Sequence, residues 1–379
     1  MDCQPDIVVA IDLGTTYTGA GWTSRRTPVH IIDQWPGSGG LVEQKVPTVL
    51  IHNANNTVSS WGFNCEDDED SHGSKRRREL FKIFLDHATL EEAQRKGVSN
   101  LPSSTAEAEG FVSDYLKQVY ACVKDKIESE MGLSPYGSWG HLAVEFLFSV
   151  PTTWTNQGIV NSFNRIIYDA GFGREGPRHK ALVDLTEAQA AAVATLLYST
   201  INFQAGTVFL TVDGGGGTTD LALMQVTSTD EAFPKLAQLC AVCGVGVGAT
   251  LIDQAFANLV ARRLSVCPDV MQLLPLDYPA RFARSHAFKQ VKHKFGEQAV
   301  MLLPSGKMVF SRQEIQSLFD QQIVGIMNKI VEQLDWLKAN HPSQQVHYMI
   351  LSGGLEAPHT FASNYNKDSC PSRTPTLLK

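Results

Sequence analysis

Short runs of β-type residues, each broken by glycine and followed by another such run, occur in two places in the chain. An apolar run that leads into a glycine turn and then resumes is typical of adjacent antiparallel strands. The pattern predicts three strands near the N-terminus and three near the middle: Ile7–Ile11, Thr18–Thr23, Val29–Gln34, Thr207–Val212, Asp220–Val226 and Leu236–Val242. The repeated order predicts two similar halves that arose by duplication.

Helical spacing of apolar positions separates further predicted strands. Ser311 with Glu314 three residues later forms a capping box, which marks the start of a long helix. The predicted helices are Ala106–Met131, Asn156–Ala170, Thr186–Ser199, Ala249–Leu264, Pro279–Phe295 and Ser311–Lys338, and the further strands are Val46–His52, Leu142–Val150, Ala181–Leu185 and Tyr348–Leu351. The alternation of the two element types indicates an α/β protein.

Composition narrows the class of protein. The chain has 379 residues, of which 43% are hydrophobic, and this length predicts two domains. A formal net charge of −7 disfavours a nucleic-acid partner. The start is not that of a signal peptide, and no apolar run is long enough to cross a membrane. The seven scattered cysteines predict free thiols, so we expect a cytoplasmic protein with no membrane association.

Two of the glycine turns carry candidate chemistry. Val9–Tyr17 has the sequence VAIDLGTTY and Thr211–Asp220 has the sequence TVDGGGGTTD. Glycine lets backbone N–H groups surround a phosphate closely, and an Asp at a strand end can hold Mg²⁺ through water. An Asp before a glycine turn is alternatively an Asx-turn residue. Two such loops predict two half-domains that grip one nucleotide.

Five segments, in order, carry a family resemblance. They are Ala10–Tyr17, Asp213–Asp220, the connecting segments Ser149–Trp154 and Asp184–Ala194, and Tyr348–Gly354 (YMILSGG). Together they resemble the first and second phosphate loops, the connections and the adenosine motif of the nucleotide-binding half of the seventy-kilodalton heat-shock chaperones. The sequence most resembles a divergent cytosolic branch that lacks the usual peptide-binding region.

The resemblance implies an actin-like ATPase (ribonuclease H-like) fold with two duplicated α/β lobes around a nucleotide cleft. We expect lobe I over residues 1–200 and lobe II over residues 201–356. The segment 357–379 contains Pro371 and Pro375 and is polar, which predicts an irregular or disordered tail. On this interpretation lobe II is truncated.

The resemblance also assigns roles. ATP or ADP with Mg²⁺ would be the cofactor, Asp12 and Asp213 would flank the metal, and Asp213 would orient the attacking water with support from Asp220. The nucleotide-binding residues implied are Gly14, Thr15, Thr16, Tyr17, Gly215, Gly216, Gly217, Thr218, Gly353 and Gly354. Positioning and charge neutralisation are what phosphoryl transfer requires.

Three further assignments have plainer alternatives. Glu187 resembles a Glu that orders the metal shell, or is an acidic residue placed at a helix start. Lys82 is the nearest candidate for the family's phosphate-contacting Lys, or is an ordinary amphipathic Lys. The family follows its last glycines with Ser-Thr-Arg, where this chain has Leu355–Ala357. Lys292 is then a candidate base contact, or a surface Lys.

The functional prediction is a slow, Mg²⁺-dependent, chaperone-like ATPase, with protein clients or co-chaperones as possible partners. The alternatives are a nucleotide-dependent switch without useful turnover and a small-molecule kinase. Gly244–Ala249 (GVGVGA) imitates a dinucleotide fingerprint but lacks the acidic residue that such a fold requires. We interpret it as a close backbone approach to the nucleotide. The polar insert around Glu66–Asp70 and Lys75–Arg78 predicts a solvated loop or a nuclear-import patch.

Overall fold

The computed structural model describes residues 4–68, 74–98, 100–133, 139–154, 156–198, 201, 203–230, 235–275, 277–293, 309–353 and 376–378. The chain divides into two compact units, unit 1 over Met1–Glu187 and unit 2 over Ala188–Lys379. This division lies before the boundary after residue 200 that we expected from the sequence. Each unit is mixed α/β.

The strands form two six-stranded sheets and one small three-stranded sheet. They are β1 (Ile7–Leu13), β2 (Tyr17–Ser24), β3 (Thr27–Ile31), β4 (Lys45–Pro47), β5 (Val49–His52), β6 (Val58–Trp61), β7 (Arg76–Glu79), β8 (Val144–Val150), β9 (Lys180–Thr186), β10 (Val208–Gly214), β11 (Thr219–Ser228), β12 (Lys235–Gln238), β13 (Cys243–Val245), β14 (Tyr348–Ser352) and β15 (Thr376–Leu378).

The described ranges contain ten α-helices, and the longest of them pack on the two large sheets. They are α1 (Asn64–Asp67), α2 (His87–Arg95), α3 (Thr105–Glu130), α4 (Gln157–Asp169), α5 (Glu187–Tyr198), α6 (Ala249–Ser265), α7 (Pro268–Met271), α8 (Tyr278–Arg284), α9 (His286–His293) and α10 (Arg312–Asn340). The predicted capping box at Ser311 is present at the start of α10. No helix in the described ranges is long and apolar enough to cross a bilayer.

The two large sheets have the same strand order. In unit 1 the order is β3-β2-β1-β8-β9, with β4 also paired to β2; in unit 2 it is β12-β11-β10-β14-β15, with β13 also paired to β11. The first three strands of each are antiparallel, and the last three are parallel. The duplicated pattern predicted from the sequence is therefore present in the topology.

Each sheet packs one face on its own long helices. In unit 1, β1 buries the alternate residues Ile7, Val9 and Ile11 in a core shared with α3 and α4. In unit 2, β10 contributes Val208 and Leu210 to a core shared with α6 and α10. Because side chains alternate across a strand, the residues between these positions lie on the opposite face.

Several predicted elements differ from the structure in detail. The predicted strand Val46–His52 is two strands in different sheets, with Thr48 at the break. The predicted strand Leu236–Val242 is β12, and the following β13 pairs separately with β11. The predicted helix Pro279–Phe295 is interrupted at Ser285, which has extended backbone angles. These breaks leave the apolar periodicity almost unchanged, so the sequence pattern alone did not reveal them.

Two segments predicted as irregular contain strands. Arg76–Glu79 pairs with β5, so the basic half of the polar insert is not a loop; its two strand faces carry charged side chains. Thr376–Leu378 pairs in parallel with β14 at the edge of the unit 2 sheet, so the prediction of an irregular tail does not extend to these three residues. Residues 354–375 lie outside the described residues.

Candidate functional site

An aspartate lies at the same place in both large sheets. Asp12 is the sixth residue of β1, and Asp213 is the sixth residue of β10. Each follows a run of core residues and points to the face opposite the core shared with the long helices. Each strand then leads into a glycine-containing loop before its antiparallel partner begins. The two candidate phosphate loops therefore have equivalent positions in the two units.

The loop of unit 1, Gly14–Thr16, is held from one side by a buried threonine. The Thr48 Oγ1 donates to the Gly14 carbonyl (2.9 Å), and its amide donates to the Thr16 carbonyl (2.8 Å). A Cβ on Gly14 would lie 2.2 Å from the Tyr17 carbonyl oxygen, so this position requires glycine. Tyr17 itself is the first residue of β2.

The loop of unit 2, Gly215–Thr218, is held by backbone groups and by the Thr250 hydroxyl, which donates to the Gly216 carbonyl (2.8 Å). The Gly215 amide donates to the Thr218 carbonyl (2.8 Å), and the first amides of α6 donate to the Gly215 and Gly216 carbonyls (3.0 and 2.9 Å). A Cβ on Gly248 would lie 2.4 Å from the Gly216 carbonyl oxygen. The glycine-rich turn 244–249 thus makes the close backbone approach that we predicted, but to this loop.

Four amides in the two loops are available for a ligand. In the part of the chain that the structure describes, the N–H groups of Thr15, Thr16, Gly216 and Gly217 donate no hydrogen bond to the protein. Backbone donors that have no protein partner and lie next to each other in a tight turn form an anion-binding concavity. Both loops therefore have the donors that a phosphate group needs.

Unit 2 brings four of the predicted residues together. Asp213 and Asp220 are directly opposite each other in the β10–β11 ladder, so their side chains lie on one face. The Thr218 hydroxyl donates to Asp220 (2.9 Å), and the Ser352 hydroxyl donates to Asp213 (2.9 Å). Gly353 has a φ of +92°, and a Cβ there would lie 2.3 Å from the Gly214 carbonyl oxygen.

Unit 1 brings two further predicted residues together across 105 positions of sequence. The Lys82 Nζ donates to Glu187 Oε1 at 2.7 Å, and it lies 5.6 Å from the centre of the Trp154 ring. Lys82 has only 3% of its side chain exposed, and Glu187 has 16%. A buried lysine needs a carboxylate partner, which the first residue of α5 provides. Lys82 is therefore not an ordinary amphipathic surface Lys.

Asp12 has a different partner from Asp213. The Lys45 Nζ, on β4, lies 2.8 Å from Asp12 Oδ2, and both side chains are about half exposed. No sequence pattern singled out Lys45, because it precedes an ordinary apolar strand. Thr48 and Ser352 were missed for a similar reason, since their roles depend on a strand break and on strand register.

The remaining candidates lie in unit 2 or outside the described residues. The Lys292 Nζ, on α9, contacts both carboxylate oxygens of Asp253 on α6 (2.7 and 2.9 Å), so Lys292 has a structural partner. Gly354 lies outside the described residues. Of the cysteines in the described ranges, Cys65, Cys122, Cys240, Cys243 and Cys267 are free, as predicted.

Two carboxylates of unit 2 could hold Mg²⁺. Across the described ranges, no three His, Cys, Asp or Glu side chains converge as a ready-made metal cage. Mg²⁺ does not need one, because it usually binds through one or two carboxylates together with water and phosphate oxygens. Asp213 and Asp220, opposite each other beside a loop with available amides, fit that requirement.

Comparison with known proteins gives one consistent result. No family model matches the chain. The chain is 22% identical to the human and the mouse heat shock 70 kDa protein 12A, over 93% of its own length. It spans about 64% of the length of these relatives. The chain is thus a distant relative of a heat shock 70 family member over most of its sequence.

Proposed function

We propose that this chain binds ATP with Mg²⁺ and hydrolyses it slowly, in an actin-like ATPase fold of the heat shock 70 type. The observation that carries the proposal is the repeated arrangement of an Asp, a glycine loop and available loop amides at equivalent positions of two sheets with the same strand order. The distant similarity to heat shock 70 kDa protein 12A supports nucleotide binding independently of this geometry.

In the proposed function, different groups bind the phosphates, the metal and the attacking water. The available amides of Thr15, Thr16, Gly216 and Gly217 bind phosphate oxygens, and the Thr218 hydroxyl adds a donor. When bound, Mg²⁺ supplies the charge neutralisation that a triphosphate requires. In this proposal Asp213, which accepts a hydrogen bond from Ser352, also accepts one from the attacking water, and Asp220 supports it.

The buried Lys82–Glu187 pair supplies a positioned cation and a positioned carboxylate. Glu187 and the Trp154 ring restrict the Lys82 ammonium to one place, so little side-chain entropy remains to be lost on contact with a phosphate. In the proposed function Lys82 contacts the transferred phosphate, and Glu187 orders water next to it. Positioning of this kind is the main contribution that a protein makes to phosphoryl transfer.

Phosphate release with ATP as the only substrate tests the proposal. The wild-type chain is expected to bind Mg–ATP and release phosphate, whereas Asp213→Asn and Lys82→Ala bind nucleotide but release phosphate at least about a hundredfold more slowly. Lys117→Met, which alters an exposed Lys paired with Asp114, is the matched control and keeps the wild-type rate. Equal release rates in Asp213→Asn and wild type would contradict the assignment.

A second candidate is a nucleotide-dependent switch without useful turnover. It is favoured by Lys292, whose ammonium is already held by Asp253, because this leaves a weaker set of contacts for the nucleotide base. Tight Mg–ATP binding with no phosphate release over hours selects the switch. In either case we propose cytoplasmic protein clients or co-chaperones as partners, and co-purification in the presence of ATP and of ADP tests this.

A further inference from the structure

Lys45 and Asp12 belong to one row of residues that crosses three strands. Lys45 on β4 is opposite Gly19 on β2, and Gly19 is opposite Asp12 on β1. The Lys45 stem lies over Gly19, with its Cγ and Cε 3.5 and 3.6 Å from where a Cβ on Gly19 would be. The lack of a side chain at Gly19 allows the lysine to cross the strand and place its Nζ 2.8 Å from Asp12 Oδ2.

The equivalent row in unit 2 has a different charge balance. There Gly244 on β13 is opposite Asp220 on β11, which is opposite Asp213 on β10. The unit 2 row therefore has two carboxylates and no cation, whereas the unit 1 row has one carboxylate and one ammonium. Since the strand pairings are the same, this difference comes from side chains alone.

The Lys45–Asp12 ion pair in unit 1 is weak enough for Lys45 to exchange its partner. Lys45 has 52% of its side chain exposed and Asp12 has 42%, and exposed ion pairs contribute little to stability. β4 also leads directly to Thr48, which holds the unit 1 loop, so Lys45 is on the same strand connection as the loop. An ammonium at this place can move from the carboxylate to a phosphate oxygen at small energetic cost.

We propose that Lys45 is the resident counter-cation of Asp12 and takes the place of a divalent cation in unit 1, so that nucleotide binding depends less on Mg²⁺. This inference rests on the proposed function. With Lys45 present, Asp12 neither repels a metal-free triphosphate nor strongly attracts a metal ion. Without Lys45, the bare Asp12 carboxylate weakens binding of metal-free nucleotide and strengthens the requirement for Mg²⁺.

The test compares the dissociation constant of a fluorescent ATP analogue in EDTA with that in Mg²⁺. Lys45→Met is expected to raise the ratio of the two constants about two- to fivefold over wild type. Asp12→Asn combined with Lys45→Met is expected to return the ratio to near the wild-type value, because no bare carboxylate remains. Lys117→Met, the matched loss of an exposed paired lysine, leaves the ratio unchanged. If Lys45→Met has the same ratio of dissociation constants as wild type, the proposal is overturned.

A measurement without nucleotide separates this inference from the proposed function. Binding of Mn²⁺ alone, followed by the loss of its free-ion electron paramagnetic resonance signal, is expected to be tighter in Lys45→Met than in wild type. The double variant with Asp12→Asn is expected to lose this gain. If nucleotide binding is absent in every variant, the proposed function fails, and the Mn²⁺ result still decides the role of Lys45. Equal Mn²⁺ affinities in wild type and Lys45→Met overturn it.

Discussion

The two large sheets share a strand order but differ in what covers them. In unit 2 both faces of the sheet are buried, because α5 packs Ala188 and Ala192 against Phe209, Ala222 and Ile350. In unit 1 only the face toward α3 and α4 is covered among the described residues. Parallel strands normally occur in sheets with both faces covered, so the unit 1 sheet departs from the usual arrangement.

One row of residues shows the difference directly. Across unit 1 the register places Ile31, Gly21, Ala10, Leu147 and Leu182 in line on the face away from α3. We call this the outer face; Ile31 is 54% exposed there.

The matching row in unit 2 is Ala222, Thr211 and Ile350, all almost fully buried. Topology was thus maintained while the side chains of the outer face changed.

The largest expected effect of burial on stability concerns two lysines within unit 1. Lys82→Met removes the ammonium from beside the buried Glu187 carboxylate, which is expected to lower the free energy of unfolding by about 3 to 5 kcal/mol. Lys117→Met breaks an exposed pair with Asp114 and is expected to cost less than about 1 kcal/mol. Urea denaturation of both variants measures the difference.

A control identifies the cause of that loss. Lys82→Met combined with Glu187→Gln removes the buried charge, and we expect it to regain part of the stability lost in the single variant. If the double variant is less stable than Lys82→Met alone, the cost comes from lost packing of the lysine stem and not from the loss of the ammonium beside the carboxylate.

Matched isoleucines test the coverage of the two sheets. Ile350→Ala removes a side chain that is 3% exposed and packed under α5, and it is expected to cost about 2 to 5 kcal/mol. Ile31→Ala on the outer face is expected to cost less than about 1 kcal/mol, because that side chain is 54% exposed. A large loss in Ile31→Ala, measured by thermal or urea denaturation, would mean that the outer face is covered in solution.

The two loops are held by different groups, which predicts different sensitivities. Thr48→Val removes the side-chain donor to the Gly14 carbonyl and is expected to cost about 1 to 2 kcal/mol. Thr250→Val removes the hydroxyl that donates to the Gly216 carbonyl, but this carbonyl still accepts a hydrogen bond from the amide at position 250. The cost is therefore expected to be about half as large. Hydrogen exchange of the amide at position 48, which donates to the Thr16 carbonyl, is expected to rise in the first variant only.

The smallest expected effect is a pH dependence in unit 1. Burial lowers the pKa of His179, although its Nε2–H donates to the Trp139 carbonyl (3.1 Å) and the charges of Glu175 and Lys124 act on it in opposite directions. The unfolded chain then binds more protons than the folded chain as the pH falls through about 6.5, so the free energy of unfolding falls there.

The pH effect is measurable by comparing variants. His179→Asn keeps an N–H donor for the Trp139 carbonyl but cannot titrate, so its stability is expected to depend less steeply on pH between about 7 and 5.5. One titrating proton changes the free energy of unfolding by at most about 1.4 kcal/mol per pH unit. The same slope in both proteins, measured by urea denaturation at each pH, would assign the acid sensitivity to other groups.

Local patterns predicted much of this fold. The strand–glycine–strand repeat gave the duplicated sheets, and helical spacing gave α3, α6 and α10 within a few residues. The equivalent positions of Asp12 and Asp213 followed from the same repeat, because each Asp lies near the end of its strand, just before a glycine turn.

What the sequence did not predict depends on contacts between distant segments. Lys45 was missed because its meaning comes from Gly19 and Asp12 on neighbouring strands. Thr48 was hidden inside an apolar run that the structure splits between two sheets. The Lys82–Glu187 contact joins residues that were each proposed separately, and no local pattern indicates that they meet.

The Lys82–Glu187 pair also has a consequence for how the chain is made. Glu187 is the last residue of unit 1, and β9 ends one residue before it. Synthesis proceeds from the N-terminus, and units generally fold as they emerge. The unit 1 sheet and its buried lysine can therefore be complete as soon as residue 187 has left the ribosome. The unit 2 sheet must wait for β14, more than a hundred residues after β10 has been made, so the Ser352 contact to Asp213 is formed last.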